Sequence, residues 1–202
     1  MQQDPGVEVL ALLTTFNEEF DRVAMHGVRR SLVELQAEAV GVPLISVALP
    51  WPCSNEIYES IMAGTLTELK TRYRPSHIAF GDLYLEDIRD YRERQMKNSA
   101  IGTLFPIWKL STSTLAKEMV AAQVKAILTC VDGSRLDGKF SGRNFDNQLL
   151  LDLPAEIDPC GENGEFHTVV VGGPMFKHSI PVEVGETIER DGFIFTDVIP
   201  QS

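Results

Sequence analysis

VEVLALLTT, residues 7–15, follows an Asp4-Pro5-Gly6 turn and is rich in Val and Leu with little alternation. A strand with one wet face alternates apolar and polar residues, so this run reads as a strand covered on both faces, as in a parallel sheet. The period then changes. Val28, Leu32, Leu35 and Ala39 recur at helical spacing within 23–40, and Gly41 and Pro43 end that helix. Leu44–Leu49 is the next apolar strand. Pro50–Cys53 breaks the chain, and Ser54 or Asn55 can cap a helix running to about Tyr73. His77–Phe80 is a short strand ended by Gly81-Asp82, followed by a helix with Leu85, Ile88 and Met96 facing inward. Leu104–Trp108 is a weak strand interrupted by Pro106, Ser113 can cap a helix through about Ala122, and Val124–Val131 is a clear strand. This alternation predicts an α/β fold: a doubly wound, mainly parallel Rossmann-type sheet with right-handed crossovers.

Past residue 131 the character changes. Residues 132–143 form a Gly-containing loop, a short helix covers about 144–151, and from Phe166 onward the runs are β. Asp191-Gly192 between apolar runs is a hairpin signal. The expectation is a small antiparallel β appendage, with residues 1–131 forming one domain and 132–202 the other.

Composition bounds the function. A chain of 202 residues, 44% hydrophobic, can bury a core without metal or disulfide staples. Its 18 basic and 29 acidic residues give a net charge of −11, which argues against a broad basic surface and so against DNA as a partner. No apolar run approaches the ~18 residues of a membrane span, and Met1–Gly6 lacks the basic-then-apolar pattern of a leader. Cys53, Cys130 and Cys160 form no CxxC pair and keep no ligand spacing with His26, His77, His167 or His178. No metal site is therefore assigned, and a reducing, cytoplasmic location is expected.

Five features carry candidate chemistry. On a helix, Arg29 and Arg30 fall within about 60° of His26, opposite the apolar stripe. They make either a phosphate-binding corner near a helix N-terminus or a solvated polar face. Gly81-Asp82 ends a strand where ligands of open α/β sheets sit, so Asp82 either holds Mg²⁺ or a ligand hydroxyl, or caps the next helix. In Cys160-Gly161-Glu162-Asn163-Gly164-Glu165-Phe166-His167-Thr168, two carboxylates three residues apart flank an Asn-Gly. They either move a proton and orient a cation, or belong to a plain turn into a strand. Arg143 either clamps an anion or is a loop residue. Trp51 and Trp108 either stack on a base or pack.

Four segments together resemble one family: MHGVRRSLVELQAEAVGVPL (25–44), FGDLYLEDIRDYRERQ (80–95), LTCVDGSRLDGKFSGRNFD (128–146) and CGENGEFHT (160–168). They are similar to the diphthine–ammonia ligases, the diphthamide-synthesis group of ATP pyrophosphatases, over nearly the whole chain and in order. The resemblance implies an adenine-nucleotide α-hydrolase fold. It implies an enzyme that uses ATP to adenylate a carboxylate, releases pyrophosphate, and lets ammonia form an amide. ATP and Mg²⁺ are the implied cofactors. Ammonium and a carboxylate-bearing acceptor are the implied partners, the acceptor being diphthine on elongation factor 2 in an archaeal or eukaryotic setting. A homo-oligomer stays open. His26, Arg29, Gly81 and Asp82 then line the nucleotide cleft of 1–131. Glu162 and Glu165 are the catalytic candidates. Gly161, Asn163, Gly164, Thr168 and Arg143 bind substrate from 132–202. An exposed catalytic Glu165 implies that Glu165→Gln abolishes turnover and leaves the melting temperature almost unchanged.

Two departures stand beside the resemblance. The family opens with a strand and a Ser-Gly-Gly-Lys-Asp-Ser phosphate loop that these residues do not contain, on the order of 30 residues. The 202 residues are therefore expected to be an N-terminally shortened form, with two strand edges left unpaired and turnover impaired for want of the phosphate loop. Residues 108–111 are Trp-Lys-Leu-Ser where many relatives carry Trp-Gly-Arg-Asp. The alternative function is a non-catalytic nucleotide or anion binder, or partner protein, derived from the family. A tRNA-thiolating ATP pyrophosphatase fits less well, because it wants a basic RNA face and paired reactive cysteines.

Overall fold

The computed structural model describes residues 1, 4–23 and 26–201. Met25, which opens the first resembling segment, lies outside the described residues. Strand β1 (Leu12–Asn17) pairs in parallel with β3 (Leu44–Leu49), and β2 (Arg22–Val23) lies antiparallel to the end of β1. Helix α1 (Arg30–Val40) connects β2 to β3. Gly41 stops it with φ +75, its N–H donating to the carbonyls of Ala37 and Glu38. Helix α2 (Asn55–Arg72) starts at Ser54, whose side chain accepts from Ile57 N, and leads to β4 (His77–Ala79). Helix α3 (Glu86–Met96) then leads to β5 (Gly102–Leu104), which pairs in parallel with β4.

Helix α4 (Thr112–Ala121) is capped by Ser111 rather than Ser113. Strand β6 (Lys125–Asp132), helix α5 (Asn147–Asp152), and strands β7 (Phe166–Gly172), β8 (Val182–Arg190) and β9 (Phe193–Pro200) complete the chain. The β8–β9 hairpin turns at Asp191 and Gly192, both with positive φ, as the Asp-Gly signal predicted. Among the described residues no helix is long and apolar enough to cross a membrane.

The α/β class and the C-terminal antiparallel sheet agree with the sequence, but the sheet arrangement differs. The described residues form three sheets, ordered β2-β1-β3, β4-β5 and β7-β6-β9-β8. Strand β6 does not extend a parallel core. It pairs antiparallel with both β7 and β9, so the antiparallel sheet has four strands and is no small appendage. The cause of the misreading is burial. β6 is covered on both faces, with Ile127 in one core cluster and Leu128 in another, and a doubly covered antiparallel strand looks the same in sequence as a parallel one.

Helix α1 is the shared layer. Its Leu32, Val33 and Ala39 pack with Phe16 of β1 on one side and with Ile127, Val169 and Val198 of the antiparallel sheet on the other. Gln36 Nε2 donates to Val170 O at 2.6 Å, and Lys177 N donates to Ala39 O at 2.7 Å. Helix α2 spans the two parallel pairs from the opposite face, its Leu66 and Leu69 packing with Leu13, Ile45 and Ile78.

Candidate functional site

The expected helix over 23–40 begins only at Arg30. Arg22 and Val23 are committed to β2, Gly27 takes φ +68, and Val23 N donates to Val28 O at 2.8 Å. His26 and Arg29 therefore precede the helix and do not share a helical face with Arg30. The basic groups are paired. Arg29 makes a two-pronged contact with Asp197, Arg22 Nη1 donates to Asp197 Oδ1 at 2.9 Å, and Arg30 pairs with Asp21. Burial by itself would raise the Asp197 pKa, but the hydrogen bonds from Arg29 and Arg22 outweigh it and bring the carboxyl down to about 2. His26 stacks on His167 of β7, with ring centroids 4.3 Å apart and planes 11° off parallel. Burial pushes the pKa of both imidazoles down. His167, with the His26 charge beside it, falls to about 4.

The segment before β7 reaches a second strand-end loop. Glu162 Oε1 accepts from Leu83 N at 2.7 Å and from Tyr84 N at 3.3 Å, directly after Gly81-Asp82. Tyr84 Oη lies 3.4 Å from Asp158 Oδ2. Burial raises the Tyr84 pKa, and the carboxylates of Asp158, Glu165 and Glu162 add to that. Asp158 Oδ1 accepts from Cys160 N and Glu162 N, which folds the loop around the carboxylate. Residues 158–167 thus join two loops of the N-terminal half, the one holding His26 and the one following β4.

The two glutamates differ. Glu165 is 2% exposed. It accepts from Asp158 N at 3.2 Å, Asn163 N at 3.0 Å and Asn163 Nδ2 at 2.9 Å. Glu162 is half-buried, and its Oε2 makes no hydrogen bond among the described residues. Asn163 is engaged by Glu165 and, through its carbonyl, by Arg135 Nη1 at 3.2 Å. Gly161 takes φ +70, and a Cβ there would lie 2.6 Å from Phe166 O, whereas Gly164, at φ +82, has open space around it. We expect Gly161→Ala to lose about 2 kcal/mol or more and Gly164→Ala about 1 kcal/mol. Urea unfolding of the two variants checks the order, and equal losses would contradict it.

Other candidates fall elsewhere. Thr168 pairs with Leu128 across one edge of β6, while Arg143 lies on the other edge, its carbonyl accepting from Leu128 N. One strand separates them, and Arg143 Nη2 donates to Asp152 Oδ2 at 2.7 Å. Asp82 does not cap α3, whose N-cap is Leu85. Its Oδ2 lies 3.5 Å from Arg92 Nε, and both atoms are buried without a hydrogen bond. A single carboxylate beside a guanidinium does not suit a resident Mg²⁺, and among the described residues no three His, Cys, Asp or Glu side chains gather to hold a metal. Burial pushes the Cys130 thiol up to about 12 and the Cys160 thiol to about 11, so neither is a nucleophile near neutral pH.

Sequence reasoning missed Asp158 and Tyr84. An Asp-Pro two residues before a Gly is a turn signal that pointed to Asp158. Nothing in the sequence pointed Tyr84 toward a segment more than 70 residues away.

Parallel strand pairs joined by helices, with their strand-end loops gathered against an antiparallel sheet, define an α/β protein, a class in which ligands sit at the carboxyl ends of the parallel strands. Sequence models of the diphthamide synthase N-terminal domain and C-terminal domain match residues 2–102 and 111–197. The chain belongs to the diphthamide synthase family. The diphthine–ammonia ligase of Schizosaccharomyces pombe is 27% identical to it, over 92% of this chain and 34% of that protein. The diphthine–ammonia ligase of Mus musculus is 25% identical over 90% of this chain and 73% of that protein, and that of Homo sapiens 23% over the same shares. The chain thus spans about a third of the fission yeast relative's length.

Proposed function

We propose that the chain is an ATP-dependent amide-forming ligase of the diphthamide-synthesis type. ATP adenylates a carboxylate on the acceptor and pyrophosphate leaves. Ammonia then attacks the acyl carbon, AMP departs, and the amide remains. Any Mg²⁺ arrives on the triphosphate rather than on the chain. Ammonium must give up a proton before it attacks, and Glu162 takes it through Oε2 while the Leu83 and Tyr84 amides hold Oε1. Glu165 holds the loop that presents Glu162. The Gly81-Asp82 backbone faces the nucleotide, and Asn163 and Gly164, beside Glu162, face the acceptor; Gly161 shapes that loop and Thr168 stays in the sheet. Diphthine on elongation factor 2, the substrate in the relatives' name, is the first acceptor to test.

The observation that carries this reading is the bridge made by residues 158–167, which brings the loop after β4 and the His26 loop to one place. The test is amide formation on the acceptor, followed by mass spectrometry, with ATP and ammonium present. Glu162→Gln is expected to slow the reaction about 100-fold or more while ATP binding persists. An unchanged rate would remove Glu162 from the chemistry.

A second reading has one observation in its favour. Arg22, Arg29 and Arg30 are all tied to carboxylates, so the corner expected to hold phosphates offers no free guanidinium among these residues. A binder without turnover would take up ATP and leave it intact.

A further inference from the structure

The two tryptophans part company in the structure. Trp108 packs against Phe105, with ring centroids 5.8 Å apart, and lies under the Arg89 guanidinium. Trp51 does not pack away, being 61% exposed. It stands just past the carboxyl end of β3, edge-on to Phe20, with centroids 6.0 Å apart and planes 66° from one another. Phe20 follows the carboxyl end of β1 and is itself 41% exposed. Its turn is fixed from beneath, because the buried Asn17 side chain accepts from Glu19 N and Phe20 N, and Glu18 N donates to Leu49 O. The Arg190 guanidinium, from the end of β8, sits 5.3 Å from the centre of the Phe20 ring.

Three separate stretches of chain therefore place two exposed aromatic rings and one cation at the carboxyl ends of adjacent parallel strands. Exposed Trp and Phe side by side gain nothing from water, and with their planes 66° apart a planar ring lies flat on one of them, Trp51 being the more exposed. We infer that Trp51 is the stacking platform for the adenine of ATP, with Phe20 bracing it edge-on and Arg190, over the Phe20 ring, as the neighbouring cation. This rests on the nucleotide reading above and adds to it the residues that hold the base. On this reading the platform contributes to recognition of the base and not of the phosphates.

The test compares binding of ATP and of inorganic tripolyphosphate by titration calorimetry to the full chain and to two variants. Because Trp51 is so exposed, its replacement leaves the fold intact, which the melting temperature verifies. Trp51→Ala is expected to weaken ATP binding about tenfold and to leave tripolyphosphate binding unchanged. Trp51→Phe, which keeps a ring, restores most of the ATP affinity. Equal ATP affinity in all three proteins would overturn the platform and leave the nucleotide reading standing. No ATP binding by the unaltered chain would overturn both. A shift of oligomeric state in Trp51→Ala, with ATP affinity unchanged, would make the patch a protein contact and also overturn the platform.

Discussion

Replacing Glu165 by Ala is expected to cost about 3 kcal/mol or more, because it strands donors that the buried carboxylate now satisfies. In a chain of this size that lowers the melting temperature by roughly 10 °C. The donors are the amides of Asp158 and Asn163 and the Asn163 side chain, all within a loop that Glu165 closes while only 2% exposed. Glu165→Gln keeps one acceptor oxygen but turns an NH₂ toward an N–H, so it should fall between the parent and the Ala variant, at about 1–2 kcal/mol. Sequence alone suggested a surface carboxylate whose loss would leave melting unchanged, but a group this buried does not behave as a surface residue. Thermal melts of both variants decide the matter. An unshifted melt in Glu165→Ala would return Glu165 to the chemistry and leave the loop without its support.

The second large effect is an acid limb in stability set by His26 and His167. Burial, with the His26 charge beside it, holds the His167 pKa at about 4 in the folded chain, against about 6.5 unfolded. Between these values the unfolded chain binds a proton that the folded chain excludes, so stability falls as the pH drops. The contribution is full above about pH 6.5, is lost progressively toward pH 4, and changes no further below that. For His167 it amounts to about 3 kcal/mol, and His26, lowered in the same direction by burial, adds to it. Urea midpoints at pH 7.5 and pH 4.5 measure the loss. His167→Gln should show a much smaller difference between the two pH values. The Asp197 cluster does not confuse the result, because its carboxyl, brought down to about 2, gives up its contribution only at lower pH. An acid limb of the same size in His167→Gln would mean that the stacked pair is not its source.

Local signals were legible wherever the chemistry is local. Gly41 ended α1, Ser54 opened α2, and Asp191-Gly192 turned the last hairpin, because each acts on backbone groups a few residues away. The misreadings have a common cause in long-range pairing. Arg29 looked like a free cation because Asp197, its partner, lies in the last strand. The helix was read too early because Val28 is buried and in phase, although Gly27 bends the chain before it. β6 looked parallel because both its faces are covered. Glu165 looked exposed because nothing in GENGEFH says that its own loop wraps around it. The site itself was half legible. The segment 160–168 stood out by its composition, but its reach to His26 on one side and to Leu83 and Tyr84 on the other is a property of the fold.

The most direct measurement of the central claim is phosphorus NMR of ATP incubated with the chain, ammonium and a diphthine-bearing acceptor. An amide-forming ligase of this type releases pyrophosphate and AMP in equal amounts over repeated turnovers, and turns over only when acceptor and ammonium are both present. ADP and inorganic phosphate, or ATP left intact under every combination, would contradict it.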